Sequence, residues 1–317
     1  MIINTGSRTD IPAYYGKWFL NRLTEGSVCV RNPYNPVQVT RYRLDPDVVD
    51  CLVFCTKNPA PMLELVSGME QSAGYECLSR FRQLWYVTIT PYGRDVEPNV
   101  PPKEQVMESL KCLSSMLSPR QVIWRYDPIF ISEKYPLAWH IRAFDEMARN
   151  LKGYTQHCVI SFIDLYAKTV RNFPGVKPVD RTDQEEIGQK FAGIGRKYGI
   201  RIQTCCEGTH LEKYGVDCSG CMSQEIIELA CDIKMDVPVR KSAREGCDCL
   251  LGGDIGMYNT CNHGCLYCYA NYDRKTVWQN MRMHNPESPF LIGSSRPEDI
   301  VRDAKQTSWI NGQLSLF

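Results

Sequence analysis

Residues 84–127 read LWYVTITPYGRDVEPNVPPKEQVMESLKCLSSMLSPRQVIWRYD. The two ends, LWYVTIT (84–90) and QVIWRYD (121–127), are short runs rich in β-branched and aromatic residues, the composition of buried strands. Between them Pro101 and Pro102 stand where a first helical turn tolerates proline, and Val106, Leu110, Leu113 and Leu117 recur at the spacing of one helix face. A strand, a crossover helix and a second strand make a βαβ unit, which requires parallel pairing. The same alternation extends outward to DCLVFCT (50–56), HCVISFID (157–164) and IRIQTCCE (200–207). LAWHIRAFDEMARNL (137–151) places Leu137, Ile141, Phe144, Ala148 and Leu151 on one helix face. Another helix is expected from a capping box at Thr182 and Glu185 to a stop at Gly199. IIN (2–4), followed by the helix-like WFLNRL (18–23), and DIGMYN (254–259) supply strands at both ends. The pattern predicts an α/β fold, a parallel TIM-like (β/α) barrel or partial barrel, with no low-complexity linker dividing it.

The bulk properties exclude several classes. With 317 residues and 43% hydrophobic content the chain can bury a large core. Its 37 basic and 36 acidic residues leave a net charge of +1, so any binding to nucleic acid or anionic lipid must be local. MIINTGSRTD carries no basic and apolar leader, and no window approaches the ~18 apolar residues of a membrane span, so a cytoplasmic protein is expected. Sixteen cysteines in such a chain point to thiols, metal or catalysis rather than disulfides. Cys29, Cys51, Cys55, Cys77, Cys112 and Cys158 lie in apolar segments and read as small buried hydrophobes. The others crowd into residues 205–268.

In a parallel barrel the reactive face lies where strands end and loops begin. The strand ends here carry Ser7, Arg8, Thr9 and Asp10; Thr56, Lys57 and Asn58; Thr90, Tyr92 and Arg94; Arg125, Tyr126 and Asp127; Asp164 and Tyr166; and Glu207. Each alone reads as a cap or turn residue. Together they line one mouth, and CNHGCLYCYAN (261–271), which directly follows DIGMYN, opens onto it.

That loop spaces Cys261, Cys265 and Cys268 as CxxxCxxC. Thiolates are soft ligands for zinc or iron–sulfur clusters, and ligand number discriminates between them. A closed zinc site wants four ligands, for which His263 is the local candidate, although reaching the metal from inside the loop would be cramped. At these residues the chain resembles the radical S-adenosylmethionine (SAM) superfamily, whose signature is CxxxCx(aromatic)C, with Tyr267 as the aromatic. CNHGCLYCYA is most similar to the branch containing spore photoproduct lyase, and FCTKNP (54–59) and TITPYGRDVEP (88–98) resemble later segments of that branch. The resemblance implies that the three cysteines hold a [4Fe-4S] cluster with one iron open to SAM. Reduction by a donor such as flavodoxin or ferredoxin would cleave SAM to a 5′-deoxyadenosyl radical. In those relatives the cysteine loop comes first, so the order here implies a circular permutation, with DIGMYN packed beside IIN. The whole chain also resembles an uncharacterised bacterial domain family with a C-terminal cysteine cluster of this kind. In the place of the Gly-Gly-Glu-like segment of radical SAM enzymes stands GSRTDIP (6–12), where Asp10 could accept from the SAM ammonium and Arg8 could meet its carboxylate. Tyr267, Lys57, Thr90 and Arg125 complete the candidate SAM-binding residues.

A second group, Cys205, Cys206, Cys218, Cys221, Cys247 and Cys249, offers C-x-x-C and C-x-C pairs. Cys205, Cys221, Cys247 and Cys249 are the preferred set for an auxiliary iron–sulfur cluster or a structural zinc, in a region, 208–250, expected to lack a core of its own. WINGQLSLF ends the chain, and Gln313 to Phe317 resemble the short motif by which bacterial repair and replication proteins dock on the DNA sliding clamp. A tail folded back on the barrel is the other reading. Arg274, Lys275, Arg282, His284 and Arg296, interleaved with Tyr272 and Trp278, offer either a local nucleic-acid surface or a solvated face. The expected organisation is a main barrel at 1–207, a cysteine-rich insert at 208–250, the last strand and cluster loop at 251–285, and a tail at 286–317. Two functions stand: a radical SAM enzyme, acting on nucleic acid or a nucleotide, and a non-catalytic zinc or iron–sulfur protein that docks on nucleic acid or a clamp.

Overall fold

The computed structural model describes residues 1–68, 73–238, 247, 249–250 and 252–311. In chain order its first half contains β1 (Ile2–Asn4), α1 (Ile11–Tyr14), α2 (Gly16–Thr24), β2 (Ser27–Asn32), β3 (Asn35–Arg43), β4 (Cys51–Thr56), α3 (Ala60–Ser67), α4 (Ala73–Ser79), β5 (Gln83–Thr88) and α5 (Lys103–Met116). The second half contains β6 (Val122–Ile129), α6 (Leu137–Leu151), β7 (His157–Phe162), α7 (Ala167–Asn172), α8 (Arg181–Tyr198), β8 (Arg201–Thr204), α9 (Gln224–Cys231), β9 (Gly253–Asp254), α10 (Arg274–Arg282) and β10 (Ile300–Asp303).

Seven strands form one parallel sheet in the order β8-β7-β6-β5-β4-β1-β9. The late strand joins the early one as expected. Ile3 pairs with Gly253 and Asn4 with Asp254, and the Ile255 amide donates to the Asn4 carbonyl at 3.0 Å. Counted from β9, the strands therefore lie side by side in sequential order, although β9 is shorter than DIGMYN suggested. Of the expected barrel or partial barrel, closure is not shown: β8 and β9 stand at the two ends of the sheet order and do not pair with each other among the described residues. What the hydrogen bonding defines is an α/β fold with a parallel sheet flanked by helices.

Period-2 alternation assigns the two faces. Leu52, Phe54, Trp85, Val87, Trp124, Tyr126, Cys158 and Ile160 pack against the crossover helices. Phe54 stacks on Trp85 at 4.1 Å between ring centres, and Phe144 of α6 stacks on Phe191 of α8 at 3.7 Å. The opposite face, Ile2, Cys51, Val53, Leu84, Tyr86, Ile123 and Val159, receives Met222, Ile226, Ile227, Met235 and Leu250. The described part of 208–250 thus packs on the sheet instead of around a core of its own. The apolar residues described there lie on the sheet, where each fully buried aliphatic side chain contributes roughly 2 kcal/mol.

Three further differences are local. β2 and β3 form a hairpin that β10 joins in parallel, a second sheet that the sequence pattern did not announce. Residues 286–288, within the segment expected as a tail, pack on α2, where the Trp18 indole donates to the Ser288 carbonyl at 2.9 Å, and Phe290 bridges to Cys29 of β2. Helix α8 ends on Gly199 as expected (φ 73), but its N-cap is Asp180, which accepts from the Asp183 amide, rather than Thr182. Of the scattered cysteines, Cys51 and Cys158 are buried, whereas Cys112 is exposed. No helix among the described residues is long and apolar enough to cross a membrane.

Candidate functional site

The sequence Cys261 to Asn271 follows β9 at the end of the sheet where β4, β5 and β6 also finish, and the loop is strapped down from both sides. From the β5 side the Asn99 amide and side chain donate to the His263 and Asn262 carbonyls at 3.1 and 2.7 Å, and the Leu266 amide donates to Val96 at 3.0 Å. From the α1 side the Tyr15 hydroxyl donates to the Thr260 carbonyl at 2.6 Å. Within the loop Asn271 donates to the Cys261 carbonyl at 2.6 Å. Gly264 sits at φ 70, a left-handed conformation that explains the glycine between the first two cysteines.

The three thiols feel one another. Burial pushes the Cys261 thiol well up, and Asp10, Cys268 and Cys265 push it further. Burial likewise raises Cys265 to about 12 despite the nearby Lys57 ammonium, and it raises Cys268. His263, the one candidate for a fourth ligand within the loop, is fully committed. It is buried, its Nε2 lies 2.8 Å from Asp10 Oδ2, and its Nδ1 lies 3.0 Å from the Tyr14 hydroxyl.

Asp10 is the hub of that arrangement. Besides His263, its Oδ2 accepts from the Lys57 amide at 2.8 Å, and its Oδ1 caps α1 through the Ala13 amide at 3.1 Å. Arg8 is paired with Asp254 at 2.7 Å. Both residues named for SAM from GSRTDIP thus already hold protein partners.

Lys57, Thr90 and Tyr267 converge on a residue that sequence reasoning did not single out, Glu97 in TITPYGRDVEP. Its Oε1 accepts from Lys57 at 2.9 Å, from the Thr90 hydroxyl at 2.7 Å and from the Tyr267 hydroxyl, while Oε2 accepts from Lys103. Burial alone would raise this carboxyl, but the Lys57 and Lys103 ammonium groups outweigh it and hold Glu97 down to about 2. Lys57 shows the reciprocal balance: burial works against its charge, and Glu97 and Cys265 more than offset it, so its pKa is raised. For Lys103 burial wins and its pKa is lowered. The Lys57 ammonium also stands 5.4 Å from the Tyr267 ring centre. The signal for Glu97 was the Glu-Pro that closes TITPYGRDVEP, part of that segment's resemblance to the photoproduct lyase branch, but no role followed from it because its partners are scattered from Lys57 to Tyr267.

Arg125 belongs to a different neighbourhood. It pairs with Asp127, with Nε at 3.1 Å, and its Nη1 reaches Cys221 Sγ at 3.9 Å. Cys221 Sγ stands 3.3 Å from both Cys205 Sγ and Cys249 Sγ. Cys247 is buried nearby and adds to the negative field on Cys249. Three of the four preferred thiols, those of Cys205, Cys221 and Cys249, therefore lie together. Among the described residues, however, no group of three or more His, Cys, Asp or Glu side chains is arranged so that it could hold a metal ion. A hollow of about 170 Å³ borders Cys261 and Cys265 between Asn99, Asn172 and Arg274; it is smaller than the roughly 300 Å³ of the smallest usual ligand pockets. Glu207, another strand-end residue, accepts from the Phe162 amide at 2.9 Å, and burial raises its carboxyl to about 7. The clamp-motif residues Gln313 to Phe317 lie outside the described residues.

Fold and site together define an α/β protein with a parallel sheet and a three-cysteine loop at the strand ends. By family, residues 2–270 match the model of a domain of unknown function, DUF1848, and the chain belongs to that family. No curated protein and no solved structure matches.

Proposed function

We propose that this chain is a radical SAM enzyme, circularly permuted relative to the spore photoproduct lyase branch that its cysteine loop resembles. The observation that carries this reading is the donor set. Cys261, Cys265 and Cys268 share one loop, and His263 is withdrawn from it by Asp10 and Tyr14. Three thiolates without a local fourth donor do not make a closed zinc site, but they suit a [4Fe-4S] cluster that leaves one iron open. When bound, that cluster supplies the electron that splits SAM into methionine and a 5′-deoxyadenosyl radical.

The chain's own residues have separable tasks in this reading. Asn99, Tyr15 and Asn271 fix the loop backbone that carries the three sulfurs. Lys57 keeps a positive charge beside Cys265, where it offsets the negative charge of bound thiolates. Glu97 orients Lys57 and Tyr267 and is a positioning residue. The loss of hydrogen bonds that Asp10 and Arg8 would suffer on turning to SAM makes them weaker candidates for direct contact than the sequence alone suggested. A one-electron donor of the flavodoxin or ferredoxin class is required. Nucleic acid or a nucleotide as substrate is supported by exposed rings beside the loop: Arg171 stacks on Tyr272 at 4.3 Å and Arg282 on Trp278 at 5.4 Å.

Anaerobic purification followed by iron and acid-labile sulfide analysis tests the assignment. The wild-type chain is expected to be brown with about four iron and four sulfide per chain at this site, and Cys265→Ala to lose them. A colourless wild-type protein that contains only zinc would contradict the proposal.

A further inference from the structure

The thiols of Cys205, Cys221 and Cys249 come from three separate parts of the chain. Cys205 follows β8, Cys221 lies in the turn before α9, and Cys249 precedes β9. Each is fixed by its backbone surroundings. The Cys205 amide donates to Ile160 at 3.0 Å, the Cys221 carbonyl accepts from the Tyr86 hydroxyl at 2.6 Å, and the Leu250 amide donates to Met222 at 2.8 Å, which holds the two loops side by side. Cys206 adopts φ 65, so the chain turns through a conformation costly for a non-glycine residue directly after Cys205. The two sulfur–sulfur distances of 3.3 Å converge on Cys221, with the Arg125 guanidinium beside it.

We propose that Cys205, Cys221, Cys249 and Cys247 bind one zinc ion as a tetrathiolate site, independent of the three-cysteine loop. Size selects the metal. A Zn–S bond of about 2.3 Å sets tetrahedral sulfur–sulfur edges of about 3.8 Å. The two observed pairs need to open by only about half an ångström to reach that edge length, and Cys247, two residues before Cys249, has to turn in as the fourth ligand. A four-iron cluster would have to insert eight atoms among the same sulfurs. Loading is not redox chemistry: four thiols release four protons and the zinc ion takes four thiolates, leaving a net charge of −2 that Arg125 partly offsets. The site would tie the end of β8 to the approach to β9, the first and last strands of the sheet order, and hold the α9 segment against its face.

The test uses the full chain with Cys261, Cys265 and Cys268 all changed to alanine, so that its outcome does not depend on the radical SAM assignment. Elemental analysis is expected to give about one zinc per chain and no acid-labile sulfide. Adding Cys221→Ser should lower zinc content about tenfold. If that variant does not fold, the parent is titrated with an organomercurial and a zinc indicator: release of the single zinc should track modification of four thiols that were protected beforehand. Iron and sulfide in place of zinc, zinc that persists without Cys221, or a metal-free parent whose thiols all react at once would each overturn the site.

Discussion

Glu97 is a single carboxylate shared by two ammonium groups and two hydroxyls, in a place from which water is excluded. Breaking a buried pair from one side costs more than the pair contributes, because the abandoned charge stays behind. Glu97→Gln would leave Lys57 and Lys103 facing each other, and its expected cost is about 3 kcal/mol or more, read as a lower urea midpoint at pH 7. The acid dependence follows from the sign of the shift. Glu97 ionises at about 2 in the folded protein against 4.5 ordinarily, so its contribution is complete above about 4.5 and is lost as the pH falls toward 2. That contribution is on the order of 3 kcal/mol, and the wild-type midpoint should fall across this window more steeply than that of Glu97→Gln. Parallel acid profiles would show that the carboxylate does not carry the coupling. At this scale the sequence was legible only in part. Spacing marked Cys261, Cys265 and Cys268 because adjacent ligands leave a local pattern. It could not mark Glu97, nor reveal that Asp10 serves His263, because those partnerships are made by residues far apart in the chain.

The strands and crossover helices read well for a physical reason. β4 to β8 are buried on both faces and so appear as apolar runs, and α5 and α6 each cover the sheet with one stripe. The β2–β3–β10 sheet did not read, since β10 is exposed throughout and the apolar alternation of β3 is confined to Val37 and Val39. The element that decides the site is the shortest. β9 pairs through two residues only, and a Cβ on Gly252 would come within 1.7 Å of the Ile2 carbonyl oxygen. Gly252→Ala is therefore expected to push β9 off β1 and to misplace the cysteine loop while leaving β4 to β8 intact. Iron retention after anaerobic reconstitution should fall severalfold with little change in far-ultraviolet circular dichroism. Unchanged retention would mean that the loop is positioned by Asn99 and Tyr15 rather than by the strand.

At the scale of the molecule, the sheet carries two thiol groups. One follows β9 at the strand ends; the other gathers the end of β8, the turn before α9 and the approach to β9. The family to which the chain belongs has no assigned activity, so the functional account rests on the chemistry of the loop: three thiols, a committed histidine and a retained lysine charge. The central claim is that this loop delivers one electron to SAM. The direct measurement is anaerobic incubation of the reconstituted, chemically reduced protein with SAM, with 5′-deoxyadenosine quantified by chromatography. The account predicts reductant-dependent 5′-deoxyadenosine from the wild-type chain and none above background from Cys265→Ala. Absence of that product from a wild-type chain loaded with iron and sulfide, or formation that survives Cys265→Ala, would contradict it.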